Sequence, residues 1–238
     1  MGLGLGTSLS KGGLATPSIV TDSLVLKHNY AAGGVVPVSD GSAFFDGTDD
    51  YITTGTGIDL GSTTDFTITC WAKASDWTSQ MLMGKIVDSS NRWYFTTNGS
   101  DVLYFFSIAG GSNGVIYTGT TALTNSEWTH IALVADRVAN TKGYINGVLD
   151  NTATGTDLDL DIDISSAFTI GKVDSDFFSG NICNVGIWST ALTQAQIKSI
   201  MWKNYAGLTS TETTGLVSWW NLSANANDDH GSNNGTLT

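Results

Sequence analysis

The chain has 238 residues, with 10 basic and 22 acidic side chains and a formal net charge of −12. That length fits one large all-β domain or two small domains, and the acidic balance excludes a basic phosphate-binding face, and with it nucleic acid, as the main theme. Only 13% of residues are charged, 28 are glycine, and every acid except Glu127 and Glu212 is Asp, which prefers turns and caps to helix interiors, so helices should be few.

The first segment, Met1 to Leu14, is rich in Gly, Ser and Leu and carries its first charge at Lys11. It lacks the basic n-region and apolar h-region of a secretory signal and reads as a flexible docking arm over residues 1–22. From there strand signals dominate: β-branched and aromatic runs alternate with Gly, Asn, Asp, Ser and Thr turns. They predict strands at Leu24–Tyr30, Ala43–Phe45, Tyr51–Thr53, Phe66–Ala72, Met81–Ile86, Trp93–Thr97, Val102–Ile108 and Val115–Thr118. The series continues at Trp128–Asp136, Lys142–Ile145, Val148–Asp150, Asp157–Ile164, Phe168–Gly171 and Gly180–Trp188. Asn146-Gly147 suits the type I′ turn of a hairpin. One helix is signalled by the capping box Thr193…Gln196, by Ile197, Ile200 and Met201 at helical spacing, and by Gly207 as its closing residue. Many short strands and one short helix predict a two-sheet antiparallel jelly-roll sandwich.

Residues 23–30 repeat in pattern at 215–222, after which too few residues remain for a second domain. The expected organisation is therefore an arm at 1–22, a sandwich at 23–207, and a C-terminal strand and tail at 208–238. That strand either extends the parent sandwich or is lent to a neighbour. Cys70 and Cys183 lie in apolar alternating runs and read as small buried hydrophobes, with a disulfide as the alternative. No CxxC pair and no His/Cys pair at ligand spacing supports zinc. The serine-nucleophile elbow, the phosphate loop and the H-E-x-x-H motif are absent.

Several segments resemble, in order, those of laminin-G-like domains of the concanavalin A-like lectin/glucanase superfamily. They are Phe45-Asp-Gly-Thr-Asp-Asp-Tyr51, the strand Asp65–Lys73, Glu127-Trp-Thr-His-Ile-Ala-Leu-Val-Ala-Asp136, the hairpin Lys142–Val148, Phe168-Thr-Ile-Gly171, the strand Phe178–Trp188, and Ala191–Ile197. The resemblance implies the same jelly-roll fold. The flanks Gly2–Gly13, Leu24–Tyr30 and Asp229–Thr236 are similar to segments of laminin-G-like virion proteins of marine bacteriophages. They imply a non-enzymatic virion surface protein (capsid decoration, fibre or tail component), assembled in the host cytoplasm. Its partners would be other virion proteins, further copies of itself and cell-surface glycans, without membrane insertion. Leu3, Leu5, Leu9, Trp219 and Trp220 are the expected assembly contacts.

Aromatic rings can stack on pyranose faces, which makes Trp77, in a polar loop-like stretch, the first candidate platform, followed by Trp93, Tyr94 and Tyr104. Trp71, Trp128 and Trp188 read as sandwich filling. No cofactor is required. Calcium is the candidate ion, because relatives bind it at loops, with Asp46, Asp49, Asp50, Asp174 and Asp176 as candidate ligands. The competing reading of Asp46 is a turn residue bonded to its own backbone. Asp157, Asp159, Asp161 and Asp163 would share one face of a strand. Some glucanases of the superfamily place catalytic carboxylates in this way, so a β-glucan hydrolase is the rival function. The run has only Asp where those enzymes use Glu, and it equally suits a solvated acidic face. A cell-surface adhesin is a third reading.

Overall fold

The computed structural model describes residues 41–153 and 160–238. The predicted strand Leu24–Tyr30 and the expected contacts Leu3, Leu5 and Leu9 lie outside the described residues. In chain order the strands begin with β1 (Ala43–Asp46), β2 (Ile52–Thr53), β3 (Phe66–Ala74), β4 (Met81–Asp88), β5 (Asn91–Thr97), β6 (Leu103–Ala109), β7 (Ser112–Thr118) and β8 (Thr129–Ala135). They continue with β9 (Thr141–Ile145), β10 (Val148–Ala153), β11 (Thr169–Ile170), β12 (Lys172–Val173), β13 (Asp176–Phe177), β14 (Ser179–Trp188), β15 (Leu216–Trp220) and β16 (Thr236–Leu237). The helix α1 spans Gln194–Ile200.

Two antiparallel sheets form a sandwich. The first has the order β1-β14-β3-β8-β9-β10, with β15 also paired to β14; the second has the order β16-β2-β11-β4-β5-β6-β7. Phe66, Ile68, Trp93, Phe95, Phe105, Ile131, Leu133 and Ile182 fill the space between them. Among the described residues, no helix is long and apolar enough to cross a membrane.

The two sheets differ on their outer faces, and the sequence shows why. Strand β8 is apolar or small at nearly every position and is buried throughout, the pattern of a strand covered on both sides. The cover is α1, whose Ile197 and Ile200 pack with Trp188, Trp219, Ala132 and Val134 on the first sheet's outside. Residues Arg92–Phe95 of β5 and Leu103–Ile108 of β6 instead alternate buried and half-buried, as expected where one face meets the core and the other does not.

Helix α1 begins as the capping box requires. The Thr193 hydroxyl accepts from the Gln196 N–H at 3.3 Å, and Gln196 Oε1 accepts from the Thr193 N–H at 2.8 Å. Its end corrects the expectation. Met201 caps it, and Gly207 closes a separate 3₁₀ turn at Tyr205–Gly207 that is anchored by Asn204. The predicted strand at Asp157–Ile164 is also corrected for its described part. Residues 160–164 join no ladder, although Ile162 and Ile164 are buried while Asp161 and Asp163 are exposed. Arg137, itself buried, donates from its terminal nitrogens to the carbonyls of Leu60, Gly61 and Leu160, at 2.8, 2.6 and 3.3 Å, and ties this segment to residues 60–61.

The tail strand extends the parent sandwich, with Val185 opposite Trp220 and Gly186 opposite Trp219. Trp219 and Trp220 are 2% and 0% exposed within their own chain. Their expected role as contacts with a neighbour is therefore corrected, because their area is already spent in the core. Cys70 and Cys183 are both buried thiols, with no disulfide between them. Cys70 belongs to the main core and Cys183 to a small cluster with Trp71 and Met201.

Candidate functional site

The second sheet's outer face is built by three successive hairpins, β4-β5, β5-β6 and β6-β7. Cross-strand register places Tyr94 opposite both Gly84 and Phe106, Thr96 opposite Tyr104, Arg92 opposite Ile86 and Ile108, and Ile116 opposite Phe106. Their neighbours Trp93, Phe95 and Phe105 are fully buried in the core, so Arg92, Tyr94, Tyr104 and Phe106 share the outward face. All four are half-buried. The Tyr94 and Phe106 ring centroids are 5.4 Å apart, and Tyr104 lies 6.3 Å from Tyr94 and 6.4 Å from Phe106, nearly parallel to the latter at 14°. The Arg92 guanidinium carbon lies 5.9 Å from the Tyr94 centroid and 6.0 Å from that of Phe106. Partial burial pushes the Tyr94 and Tyr104 hydroxyls above the usual tyrosine range. They remain neutral donor–acceptors at physiological pH.

Beside this shelf runs a groove of about 340 Å³, lined by Tyr51, Thr53, Ile86, Thr169, Lys172 and Asp174 among others. Thr53 and Thr169 are paired across β2 and β11, and Thr169 is paired with Gly84 across β11 and β4. The groove thus continues the row that leads to Tyr94. Gly84 is needed at the junction: a Cβ there would lie 2.5 Å from the Trp93 carbonyl oxygen and 3.0 Å from Tyr94 Cα. The Lys172 ammonium sits 4.1 Å from the Tyr51 centroid and 4.9 Å from that of Phe177, a cation–π clamp on the groove wall.

Of the four predicted sugar platforms, the structure brings Tyr94 and Tyr104 together and corrects the other two. Trp77 is 0% exposed, donates its indole N–H to the Thr124 carbonyl at 3.0 Å and packs against Phe178. Trp93 is also 0% exposed and stacks between Phe105 and Phe168, 5.9 and 5.8 Å away. Neither offers a ring face to a ligand. Arg92 and Phe106 were missed. The available signal was their two-residue spacing from Tyr94 and Tyr104, which puts each pair on one strand face.

Among the described residues, Asp46, Asp49 and Asp50 form the one group whose carboxylate oxygens gather, within 4.8 Å of one another. The turn already uses them. Asp46 Oδ1 accepts from the N–H groups of Thr48 at 2.7 Å and Asp49 at 3.3 Å, and Asp50 Oδ2 accepts from the Asp46 N–H at 3.1 Å. The Thr48 N–H is the main influence holding the Asp46 carboxyl below its ordinary range. Asp46 and Asp49 are exposed and Asp50 is half-buried, and with two of their six oxygens already accepting from the turn's own N–H groups they fall short of the six to eight that calcium takes. Asp174 and Asp176 do not join them. Asp174 occupies the β12-β13 turn with φ of 59° and lines the groove.

Comparison with solved structures finds the same sandwich in sugar-associated proteins. A Bacteroides ovatus protein named as a candidate carbohydrate binding protein has a TM-score of 0.57 and 23% identity over 83% of this chain, which spans 57% of that protein's length. Domain 4 of AbnA, an extracellular arabinanase of Geobacillus stearothermophilus solved with arabinotriose, has a TM-score of 0.54 and 20% identity, covering 73% of this chain and 80% of that one. The CBM40 of the Ruminococcus gnavus IT-sialidase, bound to α2,3 sialyllactose, has a TM-score of 0.51 and 16% identity, covering 68% and 99%. At these identities the likeness shows the shared fold. No curated protein matches the chain by sequence. Residues 46–198, well over half of the chain, match the model of a laminin-G family described as the Concanavalin A-like lectin/glucanases superfamily, and the chain belongs to that family.

Proposed function

We propose that this chain is a non-catalytic carbohydrate-binding protein that holds a glycan along the outer face of its second sheet. The observation that carries the reading is the half-buried shelf of Tyr94, Tyr104 and Phe106, continuous through Gly84 with the Tyr51–Lys172 groove. A sugar ring presents C–H faces to aromatic surfaces and hydroxyls to polar edges. The shelf supplies the rings, while the tyrosine hydroxyls, Thr53 and Thr169 supply the edges. Family membership and the carbohydrate-associated neighbours support the same reading. The groove lining includes one carboxylate, Asp174, whereas glycoside hydrolysis ordinarily uses a flanking pair. Exposed Asp161 and Asp163 lie on an unpaired segment, outside either sheet's ladder.

The test is a glycan microarray followed by calorimetry on the best ligand. Tyr94→Ala and Phe106→Ala should each weaken binding about tenfold, the scale of one lost aromatic contact. Retention of full affinity by both variants would rule out the shelf. Turnover of any glycan on the array would restore the hydrolase reading.

We place this binder on the surface of a bacteriophage particle, as a capsid decoration, fibre or tail component that adheres to host or environmental glycans. The support is the likeness of residues 2–13, 24–30 and 229–236 to laminin-G-like virion proteins. Antibody labelling of intact particles should decorate their surface. A chain lacking residues 1–20 that still enters particles would remove the docking role of the arm.

A further inference from the structure

We infer that the glycan held on the second sheet carries a carboxylate or sulfate group, and that Arg92 receives it. This inference rests on the glycan-binding reading above and names the ligand class for that site. Arg92 projects from β5 onto the outer face, where its guanidinium lies against the rings of Tyr94 and Phe106. Its Nε is buried and has no hydrogen-bond partner among the described residues. Among the same residues, no group accepts a hydrogen bond from the two terminal nitrogens. Among the described residues, the ion pair within bonding distance joins Lys203 to Glu212, on the other side of the molecule's fold from β5. The acid of the β4-β5 hairpin, Asp88, is turned to the Ser90 N–H and the Asn91 amide. Arg92 is therefore a cation fixed in place by ring contacts, with its donor fork unspent.

That arrangement differs from an ordinary surface arginine. A mobile side chain loses rotamer entropy when it takes a ligand, whereas ring stacking has already ordered this one. A planar fork matches the two oxygens of a carboxylate or sulfate, and such charge-assisted pairs are among the stronger polar contacts. A neutral sugar offers the fork only uncharged hydroxyl acceptors, which make weaker bonds. The chain carries only 10 basic residues against 22 acids, so a local cation on the sugar-binding face sets the charge preference there against the field of the whole molecule. Lys172, held over Tyr51 on the adjoining groove wall, gives a longer acidic chain a second cation. Asp174 in the same groove offsets part of the Lys172 charge, so the principal acidic group is assigned to the Arg92 end.

The experiment compares matched pairs by calorimetry at low and at physiological salt. The pairs are 3′-sialyllactose and lactose, trigalacturonate and its methyl ester, and a sulfated carrageenan oligosaccharide and its desulfated form. In at least one pair the acidic member should bind about tenfold or more tightly than its neutral twin, with the preference reduced by salt. The pair that responds tells carboxylate from sulfate. Arg92→Gln should equalise that pair by weakening the acidic member more than the neutral one. Arg92→Lys, which keeps the charge and loses the fork, should retain only part of the preference and serves if the Gln variant fails to fold. Equal binding within every pair, or a preference that survives undiminished in folded Arg92→Gln or Arg92→Lys protein, overturns the inference and leaves the glycan reading standing. Binding of neutral and acidic members alike by no more than the background would overturn both.

Discussion

Trp77 stands among Asp76, Thr78, Ser79 and Gln80, a setting whose polarity predicts exposure, yet its indole is fully buried. The polar neighbours line the rim while the ring turns inward and satisfies its N–H on Thr124. Composition reports where a segment runs but not which way one side chain points. For Trp93 and Tyr94 the sequence did hold the answer, since adjacent strand residues face opposite ways and only one of them can leave the core. Hydrophobicity decides for Trp inside and the hydroxyl-bearing Tyr outside. Placing Phe106 and Arg92 beside Tyr94 needed register across two hairpins, which no single strand reveals. The two classes of aromatic should separate on mutation. Trp77→Ala should cost about 3–5 kcal/mol in urea unfolding, with glycan affinity unchanged in whatever fraction stays folded. Tyr94→Ala should do the reverse, losing affinity with a much smaller loss of stability. A Trp77→Ala protein of unchanged stability that no longer binds glycan would return Trp77 to the site.

Helix α1 was readable at its start and not at its end, for a physical reason. A capping box is local, made by Thr193 and Gln196 alone, whereas the stop is set by what the following turns pack against. After Met201 the chain leaves the helix to bring Glu212 against Lys203 and Ser199, with oxygen contacts of 2.6 Å to each. The Thr209 N–H adds a further bond to Glu212, and the Glu212 carbonyl accepts from the Trp188 indole at 2.9 Å. These partners outweigh burial and hold the Glu212 carboxyl down at about 2. A folded-state value below the unfolded one means stability that is fully present above the ordinary glutamate range and is lost as pH falls from about 4.5 toward 2. Trp188 fluorescence and amide exchange at Thr209 should therefore report loosening of residues 203–214 in that window, and Glu212→Gln should remove the pH dependence there. Thr193→Ala should cost about 1 kcal/mol with no change in that profile, because the cap and the clamp hold opposite ends of the segment.

At the scale of the molecule, the family match stops at residue 198, and a sequence boundary drawn at 207 leaves the last residues as a tail. The sandwich does not treat them so. Strand β15 lies along β14, and β16 closes the second sheet beside β2. Trp220 meets Phe168 in the core with centroids 5.5 Å apart and donates to the Asn233 carbonyl at 2.9 Å. Buried Asp228 accepts from the N–H groups of Trp219, His230, Gly231 and Asn233, all at 2.9–3.1 Å, and so fastens the turn that carries the chain from β15 to β16. The repeat of residues 23–30 at 215–222 hinted that this stretch was strand. It could not say that the strand belongs to the chain's own sheet, because pairing partner and burial are properties of the assembled fold. A chain ending at residue 207 would lose two buried tryptophans from both clusters they fill. At about 3–5 kcal/mol for each large aromatic removed, against a total stability of about 5–15 kcal/mol for a domain, that loss is enough to abolish cooperative folding. Circular dichroism and calorimetry on the 1–207 chain should show no sharp unfolding transition. Asp228→Ala in the full chain should fold but melt lower, since it frees buried N–H groups without removing the rings. A 1–207 chain that melts cooperatively near the temperature of the full protein would make residues 208–238 an appendage, and the sandwich would then be closed by fewer strands than the fold displays.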